Sequence, residues 1–277
     1  MKNIYGIFAV VIMALAFSQP LFAQDEKGSE VETDQNGNRS ITISRSGNYR
    51  LPHGVNVTGG DAITITASNV TLDLGGNTVS TNAPGTGNGI FVTGASGVEI
   101  RNGKVSGFNV NVNVTNGINV RVRNLQIVGR GLAPNNGPSE IGVLLLQTRG
   151  AYVENNAISS VNLGIFVRGA NSTGNRIFEN VITGGATPGN NLLGICYNPA
   201  PNAGTGGPRG DNIYNNHITR FNFGIAISTG SISNVFNDNV LASFTGGFRE
   251  PGALTTGGGT NVSDGNIMVT IPATVLP

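Results

Sequence analysis

Beyond residue 40 the apolar residues recur in short triplets with one residue between them, as in Ile63-Thr-Ile65, Val70-Thr-Leu72, Val112-Asn-Val114 and Ile225-Ala-Ile227. A period of two is that of a β-strand with one buried face. After residue 24 no window places apolar residues at i, i+3, i+4 and i+7, so long amphipathic helices are not expected. Gly and Asn bound the triplets and supply the backbone conformations that tight corners need. The chain therefore reads as many short strands joined by turns.

The strands repeat. Seven segments carry an aliphatic residue and a second one five places on: Leu74 to Val79, Ile100 to Val105, Val122 to Ile127, Val153 to Ile158, Ile177 to Ile182, Ile213 to Ile218 and Val235 to Val240. Another strand start lies 15 residues before the closing aliphatic at Ile90, Val112, Val143 and Ile225, and 16, 17 or 23 before it at Ile63, Ile165 and Ile195. With a shortest return of seven residues, the minimal coil is 22 residues, which holds three strands and three corners. Successive coils would stack as parallel strands about 4.8 Å apart. The tight corner between the second and third strands carries Asn77, Asn102, Asn124, Asn156, Asn180, Asn216 and Asn237 or Asn239. Stacked amides there form an Asn ladder, a structural role rather than a site.

The runs Asn69-VTLDLGGNTV-Ser80 and Gly97-VEIRNGKVSGF-Phe108, with Gly-Ile strand openings at Gly89, Gly164, Gly194 and Gly224, resemble the right-handed parallel β-helix repeat proteins. That is the pectate-lyase-like superfamily, which includes periplasmic repeats similar to the copper-associated nitrous-oxide reductase maturation factor. The resemblance spans roughly residues 40 to 245. It implies an all-β solenoid of about seven to nine coils with caps at both ends. It carries no single activity, because this fold hosts lyases, hydrolases, epimerases, adhesins and plain repeat proteins.

The N-terminus carries Lys2, an apolar run from Ile4 to Phe17 and a small-residue stop at Ala23. Residues 1–23 are thus expected to be a cleaved signal peptide and the mature protein secreted or periplasmic in a bacterium, with no membrane anchor left. Residues 24–38 hold Asp25, Glu26, Glu30, Glu32 and Asp34 against Lys27 and almost nothing apolar, which predicts a disordered acidic leader. Residues 39–277 are expected to be one β-helix domain with its caps: 40–60 at one end, a loop over 246–259 and a covering strand over 265–271 at the other. Charged residues are only 11% of the chain and the net charge is +1, too little for a nucleic-acid surface. Cys196 is the single cysteine, so no internal disulfide forms. Two histidines, His53 and His217, fall far apart in the coil register and give no metal centre; no cofactor is expected.

The register also places the candidate site. Corners longer than the minimum occur at 80–88, 128–140 and 183–192, with a further insertion at 198–210. The resemblance implies that such loops flank a polysaccharide groove floored by the first strands; as tolerated surface ornaments they would carry no function. Phe91, Asn113, Phe166, Arg168 and Asn198 are the ligand candidates on that floor, which holds no carboxylate in the columns of Thr64 and Thr66. A calcium-dependent lyase needs clustered carboxylates, and a glycosidase needs a carboxylate pair. Acid and base would then come from the loops, where Arg130, Glu140, Arg209 and Asp211 are the charged candidates. On the second-strand face Phe178, Tyr214 and Phe236 are expected on consecutive coils, as a platform for sugar rings or as a stack that stabilises the sheet. These residues frame two functions: a binding or structural module toward extracellular glycans, and a polysaccharide lyase or epimerase with loop-borne catalysis.

Overall fold

The computed structural model describes residues 22–23, 29–31, 40–83, 85–131, 140–185, 192–198, 207–227, 230–243, 245–249 and 261–270. The first strands of the coils form one nine-stranded sheet, from Ile41–Ile43 through Asn88–Thr93, Val110–Thr115, Ile141–Leu146, Leu163–Arg168 and Leu193–Asn198 to Phe223–Ile227 and Gly246–Arg249. Second and third strands, together with Phe22–Ala23 and Ser29–Val31, form an 18-stranded sheet, fused because Glu99–Ser106 and Arg121–Val128 run through their corner without a break. Every pairing is parallel except Phe22–Ala23 with Ser29–Val31. No helix occurs among the described residues.

The period of two sets the interior. One inward column runs Ile43, Ile65, Val92, Val114, Leu145, Val167, Tyr197, Ile227, each residue opposite the next in register. All are buried. Each buried aliphatic side chain contributes about 1.5–3 kcal/mol, so a continuous column stabilises the stack as a whole. Tyr197 breaks the aliphatic series; its ring meets Phe236 edge-on, with centroids 5.8 Å apart.

The corners explain the asparagines. Asn156, Asn180, Asn216, Asn239 and Asn266 form the ladder: each Nδ2 donates to the next Oδ1 at 2.9–3.0 Å, and each backbone N–H donates to the same oxygen at 2.9–3.1 Å. Upstream the same position holds Leu125, whose N–H donates to Asn156 Oδ1 at 3.0 Å, and Gly103, where a Cβ would stand 2.4 Å from that of Leu74. Asn77 also occupies this position and donates to Leu51 O of the coil before, as Asn180 does to Val153 O, but the coil after has Gly103 there and no side-chain amide to continue the ladder. Asn102 and Asn124 are not ladder members. They sit one residue earlier, in left-handed backbone with φ of 59° and 53°, alongside Asn155, Glu179, Asn215 and Asp238. Asn tolerates this region better than other residues with a Cβ.

Four further expectations change. In the last full coil the inward residues are Phe236 and Leu241, opposite Ile213 and Ile218, not Val235 and Val240. Residues 246–249 are a first strand rather than loop, and Val262–Asp264 with Ile267–Thr270 continue the second and third strands of that coil instead of supplying one cover. Ser29–Val31, within the stretch expected as a disordered leader, pairs in parallel with Gly47–Arg50. Of the insertions, 132–139, 186–191 and 199–206 lie outside the described residues.

Candidate functional site

The outward side of the nine-stranded sheet presents three columns. One is the expected series Phe91, Asn113, Leu144, Phe166, Cys196, Ala226, aligned residue by residue. A second aligns Thr93, Thr115, Leu146, Arg168 and Asn198, the side chain of Asn198 lying outside the described part. The third, Asn88, Val110, Ile141, Leu163, Leu193, Phe223, was not anticipated. It sits three residues before the first column, because a Gly such as Gly142 or Gly164 follows it and turns inward with the residue after, breaking the alternation. The recurring Gly-Ile opening is the signal for it.

The N-terminal part of this face is polar and internally wired. Thr115 Oγ1 donates to Asn113 Oδ1 at 2.9 Å, Asn113 Nδ2 to Asn88 Oδ1 at 3.0 Å, and Asn88 Nδ2 to Asp61 Oδ1 at 2.7 Å. The chain ends on a carboxylate that also accepts the Asn88 N–H, at 2.8 Å. Such a chain fixes the amide orientations and leaves Thr115 Oγ, the second Asn113 N–H and the Phe91 ring facing outward. Farther along, Arg168 lies with its guanidinium carbon 5.9 Å from the Phe166 ring centre, and its buried Nε finds no acceptor.

The four loop candidates do not assemble. Glu140 and Arg130 bind each other, Glu140 also accepting the Arg130 N–H at 2.8 Å, with the Glu140 side chain 1% exposed. They flank the start of Ile141–Leu146. Arg209 and Asp211 follow the opposite end of the first strands, two coils on, where Arg209 donates to Ala170 O at 3.2 Å. Six-residue strands separate the two pairs by roughly 20 Å. Asp211 is buried in a second ladder, Asn175, Asp211, Asn234, Asn261, at the corner between first and second strands. Burial pushes its carboxyl up to about 6, against the lowering effect of the Asn175 hydrogen bonds. The Tyr197 hydroxyl faces this carboxylate without meeting hydrogen-bond geometry to any group, and burial, then the charge of Asp211, holds it well above the usual phenol range.

The second-strand face carries ion pairs and an aromatic stack. Arg101 pairs with Asp73 and Glu99, both at 3.1 Å, Arg123 with Glu99 at 2.8 Å and Arg121 with Glu154 at 3.3 Å; half-exposed pairs of this kind contribute about 0–1 kcal/mol each. Phe178 and Tyr214 stack with centroids 4.9 Å apart and planes 2° apart. Stacked along the axis they present edges outward, whereas a sugar ring needs a face. Phe236 is in the core and Asn237 takes its place in the column.

No family model matches the chain, and no curated protein sequence does. Among solved structures it is similar to the Dettilon tailspike protein, at 13% identity and a TM-score of 0.53 over 82% of this chain and 51% of that one. The chain folds as a right-handed parallel β-helix, an all-β solenoid of about seven turns. This β-helix spans about half the length of the tailspike chain. An alginate lyase from Paenibacillus sp. str. FPU-7 aligns over 79% of the β-helix and 91% of its own chain at 15% identity, with a TM-score of 0.45. Identities this low describe the scaffold, so the case for a function rests on the face itself.

Proposed function

We propose that the protein is an exported glycan-binding module whose ligand lies on the polar part of the nine-stranded sheet's outward face. The observation that supports this is the Thr115, Asn113, Asn88, Asp61 hydrogen-bond chain beside Phe91. Sugar hydroxyls both donate and accept, and oriented hydroxyl and amide groups next to an aromatic ring match them. Phe166 and Arg168 continue the same face in the coils beyond. Export follows from the Lys2 to Ala23 pattern. The lyase or epimerase reading loses its support, since Arg130 with Glu140 and Arg209 with Asp211 lie at opposite ends of the strands and both carboxylates are committed to structural contacts.

The test is a glycan array probed with the protein lacking residues 1–23, alongside Asn113→Ala. Binding to a defined set of glycans that drops about tenfold in the variant supports the proposal. Absence of binding to every glycan, or release of unsaturated uronate products from an acidic polysaccharide, overturns it.

A further inference from the structure

The same face changes chemistry along its axis. From the coil of Ile141 onward its outward positions are Ile141, Leu144, Leu163 and Phe166, then Leu193 and Phe223, all on the side of the sheet turned away from the core. An outward sheet face in water alternates toward polar residues, as the Thr64 to Thr115 part does. Aliphatic side chains gain nothing from sugar hydroxyls, and the strip is four coils long, roughly 14 Å, half-buried at Ile141, Leu144, Leu163 and Phe166 and buried at Leu193. At its edge stands Arg168, its guanidinium carbon 5.9 Å from the Phe166 ring centre and its buried Nε without an acceptor. A buried donor on a cation without a partner is costly, and an anion removes that cost.

One kind of molecule answers both features. We propose that this half of the face binds a long-chain carboxylate, its carboxylate on the Arg168 guanidinium and its alkyl chain along Ile141, Leu144, Leu163 and Phe166. The inference rests on the preceding reading only in taking this face for the ligand face. The head group satisfies the Arg168 donor in a bidentate geometry, and the methylenes cover what the half-buried Leu144 and Leu163 side chains still expose. The sugar-like array around Asn113 and the aliphatic strip then divide one surface between two parts of a ligand, or between two ligands.

The experiment is titration calorimetry of the protein lacking residues 1–23 with sodium dodecanoate below its micelle concentration, compared with butanoate and with uncharged dodecyl maltoside. Arg168→Gln and Leu163→Asn are the variants; both side chains face outward, and unchanged thermal melting verifies that the fold persists. Saturable dodecanoate binding, weakened about tenfold or more by each substitution and by shortening the chain or removing the charge, supports the proposal. No dodecanoate binding, or binding that neither variant changes, overturns it. A self-associating protein that Leu163→Asn makes monomeric, with no dodecanoate binding, assigns the strip to a second copy and also overturns it. Glycan binding without dodecanoate binding sinks this inference and leaves the glycan reading standing; dodecanoate binding with a blank glycan array does the reverse.

Discussion

Asp211 takes from Asn175 both the backbone N–H, at 2.7 Å, and the side-chain amide, at 3.2 Å, in a ladder position that the next coils fill with Asn234 and Asn261. Asparagine accepts from the coil before and donates to the coil after. An ionised aspartate only accepts, so its side chain has no proton to give to Asn234 Oδ1, which takes the Asp211 backbone N–H at 3.0 Å. Protonation restores the missing donor. Burial works in the same direction, and the carboxyl is pushed up to about 6.

The linkage sign follows. A carboxyl whose folded value lies above its unfolded value favours folding most when protonated. The contribution is complete below the ordinary Asp range near 4 and is lost as pH rises through about 6. The loss is of order 3 kcal/mol at pH 8. Asp211→Asn is expected to raise the denaturation midpoint at pH 8 and to flatten its decline between pH 4 and 7. Equal pH profiles for the two proteins in guanidinium titrations would count against this account.

Asn180 and Asn77 occupy equivalent corners and carry unequal weight. Asn180 Nδ2 donates to Val153 O, Phe178 O and Asn216 Oδ1, and its Oδ1 accepts two N–H groups of Asn156, all inside the protein. Asn180→Ala strands several buried groups and is expected to cost about 2–4 kcal/mol. Asn77 donates once, to Leu51 O, at a half-exposed site, so Asn77→Ala should cost about 1 kcal/mol. Denaturant midpoints at constant pH compare them directly.

Gly164 is held by space. A Cβ there would stand 2.4 Å from Gly194 O and 2.5 Å from Ile182 Cγ2, contacts that backbone and core cannot yield cheaply. Gly164→Ala is expected to lose about 2–4 kcal/mol. Gly174 has open space around its Cβ position but a φ of +66°, and Gly174→Ala should lose only about 1 kcal/mol. Thermal melts of the two variants should therefore differ clearly.

Arg130 and Glu140 close the base of the 132–139 insertion as a buried ion pair. Arg130→Gln leaves the Glu140 carboxylate buried without its cation and is expected to cost about 3–5 kcal/mol. The double change Arg130→Gln with Glu140→Gln should recover much of that loss, because two neutral amides need no counter-charge. Additive single losses in a double-mutant cycle would show that the pair acts separately.

Two strand registers compete in the coil of Phe236. Val235 and Val240 are five residues apart, and so are Phe236 and Leu241, so spacing by itself fits both registers. A one-residue slip exchanges core and surface for the whole strand. The ladder asparagine resolves it: Asn156, Asn180 and Asn216 each precede their closing aliphatic by two residues, and Asn239 precedes Leu241 in the same way. Asn102 and Asn124 depart from the expected ladder for the converse reason. Asn suits both a ladder and a left-handed corner, and composition does not say which of two adjacent positions turns.

What the chain carried locally was the coil: the period of two, the minimal repeat, the Gly and Asn corners and most of the inward and outward columns. These depend on each residue's own backbone preference and on alternation, which neighbours in sequence determine. Only the stacked structure showed that Asp211 is a ladder rung, that Glu140 is buried against Arg130, that Thr115, Asn113, Asn88 and Asp61 form one hydrogen-bond chain, and that a third column lines the candidate face. Those relations join residues of different coils, often more than 20 positions apart. They exist only once parallel pairing brings successive coils to within about 4.8 Å of each other.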